Sequence, residues 1–341
     1  MKVKINLKAI ERNLNALRLA FGKPLIFMCK ADAYGHGLAR VVRSVSAEGY
    51  GVATEEEGVV VRSLTNAPVY VTAPRKENVA LLRGFDLIAL VGEPTLAAAL
   101  VEAGVKRCHI KVNSGMNRLG FSSPEESAAA ADKLISGGVR VEGVCTHYKS
   151  ADEGDRRKQN AVFEKCVSAV RGKARSLGSF SPIFTHVTGG GSVETADAYR
   201  VGLACYGYGD GLNVPLEKAM RVESEILAVK EIRRGQTLGY NAFRARENLV
   251  ACTVLGGYAD GIDRSEKGRC VLVDGAKARI AAVCMDSFEI VTHRLDLKAG
   301  RRVIIMSDAI DANYIAKSRG TIPYEVLVGY DRSRAEYLYD G

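Results

Sequence analysis

The sequence lacks most of the features that mark a secreted, membrane-bound or metal-binding protein. Its eight cysteines form no Cys-x-x-Cys pair, and its five histidines are not spaced as zinc ligands are, so we expect no metal site. No apolar run reaches the roughly 18 residues that a membrane span needs, and the first residues lack the apolar stretch of a signal peptide. Together with cysteine usage that suits a reducing compartment, these absences predict a cytoplasmic protein without membrane contact.

The formal net charge is +9, yet the sequence contains no basic block interleaved with aromatic residues. Basic pieces such as residues 155–158 also contain or adjoin acids, which is typical of solvated helix faces. We therefore expect no nucleic-acid partner. A moderately positive field would still favour an anionic cofactor.

Short apolar runs alternate with helix-like segments over the first 200 or so residues. They predict strands at residues 25–29, 50–53, 69–72, 87–91, 109–112, 141–145 and 183–186. Helical spacing predicts helices at residues 7–20, 38–45, 55–64, 95–102, 124–135 and 159–176. About eight such units are typical of an α/β fold of the (β/α)8 TIM-barrel type. The alternative is a doubly wound sheet, which would want a Gly-x-Gly-x-x-Gly turn after its first strand, and that turn is absent.

Beyond residue 212 the pattern changes to long alternating segments separated by turn residues. They predict strands at residues 222–232, 249–254, 270–273, 279–283, 288–291 and 303–306, with one short helix at 312–318. We therefore divide the chain into a barrel domain over residues 1–212 and a mostly antiparallel β domain over residues 213–341.

The first predicted barrel strand ends at Lys30, and burying an ammonium there is costly unless it is paired. A lysine held partly dry at the carboxyl end of a barrel strand has a lowered pKa and can form a Schiff base or act as a base. The alternative is a surface lysine whose stem covers apolar neighbours while its ammonium reaches water.

The residues from Lys30 to Gly37, KADAYGHG, resemble the pyridoxal 5'-phosphate attachment motif of the alanine racemase family. Further strings extend the resemblance over nearly the whole chain: HIKVNSGMNRLG at 109–120, YRVGLACYG at 199–207, LGYN at 238–241, GYADGIDR at 257–264, VCMD at 283–286 and TIPYE at 321–325. The resemblance implies that Lys30 forms a Schiff base with this cofactor and that Tyr34 contacts the cofactor phosphate.

The resemblance also implies a role for each remaining candidate residue. Lys111 would carry a carbamate, His147 would stack on the cofactor ring, and Arg200 would face its pyridine nitrogen. The other residues implied to bind the cofactor are Arg118, Gly190, Ser192, Gly202, Leu203 and Tyr324. Those implied to contact substrate are Arg118, Tyr258, Met285 and Asp286, with Asp152 near the entrance.

Racemisation needs a base on each face of the substrate Cα, and the resemblance implies Lys30 on one face and Tyr240 on the other. Arginine stays protonated, so Arg200 could donate a hydrogen bond to the cofactor without transferring a proton, which favours racemisation over transamination. The family further implies a head-to-tail homodimer with shared active sites. Its activity would interconvert L- and D-alanine and supply D-alanine for peptidoglycan.

Three alternatives remain open. The substrate could be another amino acid, such as serine or a basic one, because Ala282 stands where many relatives have an arginine. A decarboxylase with the same two domains would want a Cys-Glu or Cys-Asp motif where this chain has Cys284-Met285-Asp286. A non-catalytic barrel protein that binds the cofactor would lack the second domain and with it Tyr240.

Overall fold

The computed structural model describes residues 1–149, 152–179, 182–189, 196–209, 211–240 and 242–340. Within these ranges, eight parallel strands close into a barrel in chain order. They are β2 (Leu25–Met28), β3 (Gly49–Val52), β4 (Val69–Val71), β5 (Ile88–Val91), β6 (Arg107–Val112), β7 (Arg140–His147), β8 (Phe184–Thr188) and β9 (Ala198–Val201). The barrel closes because β2 pairs with both β3 and β9. The predicted TIM-type barrel is confirmed.

The helices of the barrel follow the predicted pattern closely, with two differences. Their bounds are Leu7–Phe21, Leu38–Ser44, Glu55–Arg62, Val79–Gly84, Pro94–Glu102, Pro124–Ser136 and Glu153–Ser176. The helix at Val79 was not predicted, because six residues are too few to show a clear period. The last helix begins six residues earlier than predicted, since its charged first turn lacks apolar spacing but is capped by the Asp152 carboxylate, which accepts from the Asp155 amide.

The second half of the chain forms a mostly antiparallel sheet, as predicted. In the described part its order is β13-β16-β15-β14-β17-β10-β1-β18. The strands are β1 (Lys2–Asn6), β10 (Met220–Ile232), β13 (Leu249–Leu255), β14 (Cys270–Val273), β15 (Ala276–Val283), β16 (Ser287–Thr292), β17 (Arg302–Met306) and β18 (Glu336–Asp340). A separate hairpin pairs β11 (Thr237–Leu238) with β12 (Phe243–Arg244). Two helices, Ala312–Arg319 and Pro323–Val328, follow β17, where the sequence pattern predicted only the first.

The two ends of the chain meet in this second sheet, which the sequence pattern did not indicate. Strand β1 pairs antiparallel with β10 and parallel with β18, so the first strand of the chain lies among strands of the second half. The division of the chain near residue 212 stays a prediction. In the described ranges, no helix combines the length and the apolar character that crossing a membrane requires.

A buried asparagine joins the first helix to the connection between the two halves. Asn13 is 1% exposed, and its amide nitrogen donates to the carbonyl oxygens of Cys205 at 3.0 Å and Glu217 at 2.8 Å. Its side-chain oxygen accepts from the Glu217 amide at 2.8 Å. All three hydrogen bonds depend on one side chain, so it fixes how the connection leaves the barrel.

We expect Asn13→Ala to lower the free energy of unfolding by about 2–4 kcal/mol, because it leaves several backbone groups without a partner. Urea unfolding followed by circular dichroism measures this difference. The control is Arg12→Gln on the same helix, which breaks only an exposed ion pair with Glu217 and should change stability much less. Equal effects of the two substitutions would contradict the assignment.

Candidate active site

The chain leaves β2 through Lys30 and enters a left-handed helical turn. Ala31, Asp32, Ala33 and Tyr34 have φ angles of 52°, 53°, 54° and 53°. Each non-glycine residue in this conformation costs about 1–2 kcal/mol, and such residues normally occur singly. A strained run of this length persists only where its surroundings hold it, and strain of this kind is common at functional sites.

The turn is held from the barrel by Glu57 and from the second half by the helix Pro323–Val328. The Glu57 carboxylate accepts from the backbone amides of Ala31 at 2.7 Å and Ala53 at 2.8 Å. A Cβ atom at Gly35 would lie 2.2 Å from the Leu327 carbonyl oxygen, so the helix packs directly on the turn. The same helix brings the Tyr324 ring to 5.8 Å from the Tyr34 ring.

Cationic side chains surround Lys30 at the carboxyl end of the barrel. Burial lowers the pKa of Lys30, Arg118 and Arg200 lower it further, and Glu57 opposes them. Burial likewise lowers the pKa of Lys111 to about 8, and its Nζ donates to the Thr72 carbonyl oxygen at 3.3 Å. The structure thus brings Lys30, Lys111, Arg118 and Arg200 together. The lowered pKa makes the neutral amine easier to form at both lysines.

Arg200 is fixed by a buried chain of hydrogen bonds. Its Nη2 donates to the Thr146 carbonyl oxygen at 2.6 Å, and its Nη1 lies 2.5 Å from Nδ1 of His186. Because a guanidinium only donates, His186 Nδ1 accepts, and its proton resides on Nε2. That nitrogen lies 2.8 Å from Nδ1 of His109, which therefore accepts in turn.

The two histidines hydrogen-bonded in series to Arg200, His186 and His109, are both neutral. Burial, then the Arg200 charge, lowers the pKa of His109 to about 3 and the pKa of His186 well below its usual value. Sequence reasoning did not connect them with Arg200. The available signal was a histidine inside each of two buried strands, but the contact exists only once the barrel closes.

His147 lies at the end of β7, beside the cationic group. Burial, then Arg200, Arg118 and the two lysines, lowers its pKa to about 3. It is therefore neutral and adds no further positive charge. A neutral imidazole of this kind can lie flat against an aromatic ligand without adding to the repulsion.

Glycine allows a close approach beside Tyr34. A Cβ atom at Gly202 would lie 2.4 Å from the Tyr34 hydroxyl oxygen, so only glycine at position 202 avoids a clash with that hydroxyl. Leu203 follows directly and begins a short 3-10 turn, Leu203–Tyr206. Gly190 and Ser192, the other residues expected near a phosphate, lie outside the described residues.

Four candidate residues of the second half lie apart from this group. Tyr240, at the tip of the β11–β12 hairpin, is 95% exposed, and Tyr258, Met285 and Asp286 are exposed as well. The loops of Tyr258 and Met285 are joined, since the Tyr258 amide donates to the Cys284 carbonyl oxygen at 3.0 Å. Across the described ranges, no hydrogen bond, ion pair or ring contact joins these four residues to Lys30.

Ala282 lies beneath the same hairpin. Ala282 is 2% exposed, and a Cβ atom added at Gly239 would lie 2.5 Å from the Cβ of Ala282. A larger side chain at position 282 would therefore displace the backbone next to Tyr240.

Family comparisons cover almost the entire chain. A family model described as "Alanine racemase, N-terminal domain" matches residues 5–210, and one described as "Alanine racemase, C-terminal domain" matches residues 219–339. An alanine racemase of Streptococcus pyogenes is 31% identical over 347 residues, which span 95% of this chain and 94% of the relative.

Solved structures give the same result. The alanine racemase of Bacillus anthracis with bound L-Ala-P superposes with a TM-score of 0.90 at 26% identity, covering 100% of this chain and 95% of the other. The alanine racemase of a D-cycloserine-producing Streptomyces lavendulae also gives 0.90 at 26% identity, covering 100% and 97%. Because the two family models match residues 5–210 and 219–339 and a relative is 31% identical over 95% of the chain, this chain belongs to the alanine racemase family.

Proposed function

We propose that this protein is a pyridoxal-phosphate-dependent racemase that interconverts L- and D-alanine in the cytoplasm, with D-alanine destined for peptidoglycan. The observation that carries the proposal is Lys30, an amine of lowered pKa that follows a barrel strand and begins a strained turn. Membership of the protein in the alanine racemase family supports alanine as the substrate. All eight cysteines lie in the described residues as free thiols, which supports a reducing compartment.

The residues present fit pyridoxal 5'-phosphate. Lys30 offers an amine of lowered pKa for the aldehyde, and the surplus of cations around it suits an anionic ligand. Gly202 leaves room for the Tyr34 hydroxyl, which with Tyr324 would bind the phosphate. When bound, this cofactor supplies an electron sink for the negative charge that develops at the substrate Cα.

Arg200 would donate a hydrogen bond to the pyridine nitrogen. Arg200 keeps its proton, because a guanidinium does not deprotonate in proteins. Neutral His186 accepts a hydrogen bond from Arg200 but is too weak a base to remove its proton at ordinary pH. The nitrogen would therefore remain unprotonated and the sink weak. A weak sink shortens the life of the charge at Cα, and this favours return of a proton to Cα.

Proton transfer would use Lys30 on one face of Cα and Tyr240 on the other. The Lys30 amine would accept or return the Cα proton, and its lowered pKa suits both directions. By analogy with the family, Lys30 would take the proton from D-alanine and Tyr240 would take it from L-alanine. Arg118 and Met285 would bind the substrate, with Tyr258 and Asp286 at its edge.

A second subunit would bring Tyr240 to Lys30. In the single chain Tyr240 is 95% exposed and is therefore accessible to a second subunit. Tyr258 and Met285 belong to the same exposed group. A head-to-tail homodimer would cover the group and complete each barrel with the partner's tyrosine.

Lys111 would carry a carbamate. With a pKa of about 8, about a tenth of Lys111 is neutral at pH 7, and only the neutral amine adds carbon dioxide. The addition forms the N–C bond, releases one proton and leaves a carboxylate. That negative charge would offset the cations of Arg118 and Arg200 beside it.

The first test is the reaction. Cofactor-loaded protein incubated with L-alanine should form D-alanine until the two are equal, as chiral chromatography measures. L-Serine and L-lysine serve as comparison substrates, and Lys30→Ala as the inactive control. Faster racemisation of either comparison substrate would replace alanine in the proposal, and an absence of racemisation of all three would refute it.

The second test is the attachment site. Borohydride reduction of the loaded protein followed by peptide mapping should find pyridoxyl on Lys30. The matched control is Lys111, a second lysine of lowered pKa at the carboxyl end of the barrel. A label on Lys111, or on neither lysine, would contradict the assignment of Lys30.

The third test concerns the shared site. Lys30→Ala and Tyr240→Phe homodimers should each lose about 10²–10⁴-fold in proton transfer. A heterodimer of these two variants contains one site without either base and one site with both, so it should regain up to half of wild-type activity.

The control heterodimer combines wild type with the double variant Lys30→Ala, Tyr240→Phe. If sites are shared, each of its two sites lacks one base and it should be nearly inactive. If each subunit used its own Tyr240, the heterodimer of the two single variants would be nearly inactive. The heterodimer of wild type and the double variant would then keep up to half of wild-type activity. That reversed result would refute the shared site.

A further inference from the structure

An arginine of the second half contacts the turn that begins at Lys30. Arg332 lies between the helix Pro323–Val328 and β18, and its Nε donates to the Asp32 carboxylate. Its Nη2 donates to the Gly35 carbonyl oxygen at 3.4 Å. One guanidinium therefore contacts the left-handed turn at two points, 300 residues away along the chain.

Arg332 is itself held firmly. Its Nη1 donates to the Tyr339 hydroxyl at 2.8 Å, and its guanidinium carbon lies 3.9 Å from the centre of the Tyr337 ring. Asp331 closes the preceding turn, since its carboxylate accepts from the Ser333 amide at 2.7 Å. The arginine is thus fixed before it reaches the barrel, which reduces the entropy lost in pairing with Asp32.

The backbone of the turn is shaped for this approach. A Cβ atom at Gly37 would lie 2.3 Å from the Tyr339 hydroxyl and 2.8 Å from Nη2 of Arg332, so only glycine allows the contact. The second oxygen of Asp32 accepts from the Leu38 amide at 2.7 Å and caps the next helix. One carboxylate therefore joins the strained turn, the helix after it and the second half of the chain.

We propose that Arg332 is a positioning residue for Lys30. Through Asp32 and Gly35 it holds the Ala31–Tyr34 turn in its left-handed conformation, and so sets where the Lys30 amine lies relative to Arg200. Only the importance of Lys30 rests on the proposed function. The contact itself belongs to the fold and can be tested apart from catalysis.

Hydrogen exchange measures how often the turn opens. In the full-length protein, measured both with and without added cofactor, Arg332→Gln should speed exchange in peptides covering residues 31–44 by roughly 3- to 10-fold. The factor is modest because both side chains of the pair remain partly exposed, so solvent screens part of the attraction. Peptides covering residues 270–283 should be unchanged, which separates a local effect from a general loss of stability.

Three further variants sharpen the test. Asp32→Asn keeps an oxygen for the Leu38 amide but removes the charge, so it should match Arg332→Gln, and the double variant should be no worse than either. Arg332→Lys keeps the charge without the planar fork and should fall between wild type and Arg332→Gln. Arg12→Gln, which breaks an exposed pair elsewhere, is the matched control.

Release of the cofactor after dilution gives a second readout, and its rate should rise with the exchange rate. Unchanged exchange at residues 31–44 in Arg332→Gln, or additive effects in the double variant, would refute the proposal. Failure of the proposed function has a different signature, because it appears as missing racemisation or a label away from Lys30. Exchange at the turn does not depend on either result.

Discussion

The crowding of cationic side chains at the carboxyl end of the barrel is the constraint on which the site depends. Lys30, Lys111, Arg118 and Arg200 lie within electrostatic reach of one another, and burial adds to their repulsion. The three histidines near these cations, His109, His147 and His186, are neutral, and both lysines have a lowered pKa. In the proposed function the remaining excess of positive charge is balanced by an anionic cofactor and a carbamate.

Residues that follow β17 in the second half of the chain contact the Lys30 turn of the barrel. Tyr324 and Arg332, on and after the helix Pro323–Val328, lie against the Lys30 turn, whereas Tyr240 is exposed on a separate hairpin. The helix and Arg332 can stabilise the strained turn because they pack on Gly35 and reach Asp32. In the proposed function, the exposed Tyr240 would serve the barrel of a second subunit.

The sequence predicted the elements whose burial leaves a simple pattern. Most strands of the barrel are buried on both faces and appear as continuous apolar runs, but Ala198–Val201 contains the buried Arg200 and was missed. Strands β1 and β18 were missed because they are short and rich in charged or tyrosine residues. The motif at Lys30 was recognised, but its left-handed backbone was not, since alanine does not favour positive φ.

The features that the sequence could not show all depend on long-range contacts. His109 and His186 meet because β6 and β8, the two neighbours of β7, both direct these side chains into the barrel interior. Arg332 contacts Asp32 from the segment that leads into β18, which pairs with β1. Both contacts act on residues that the motif had already singled out, Arg200 and the Lys30 turn. A catalytic motif therefore identifies the reactive side chains, while the closure of the barrel and the pairing of the chain ends fix their protonation and position.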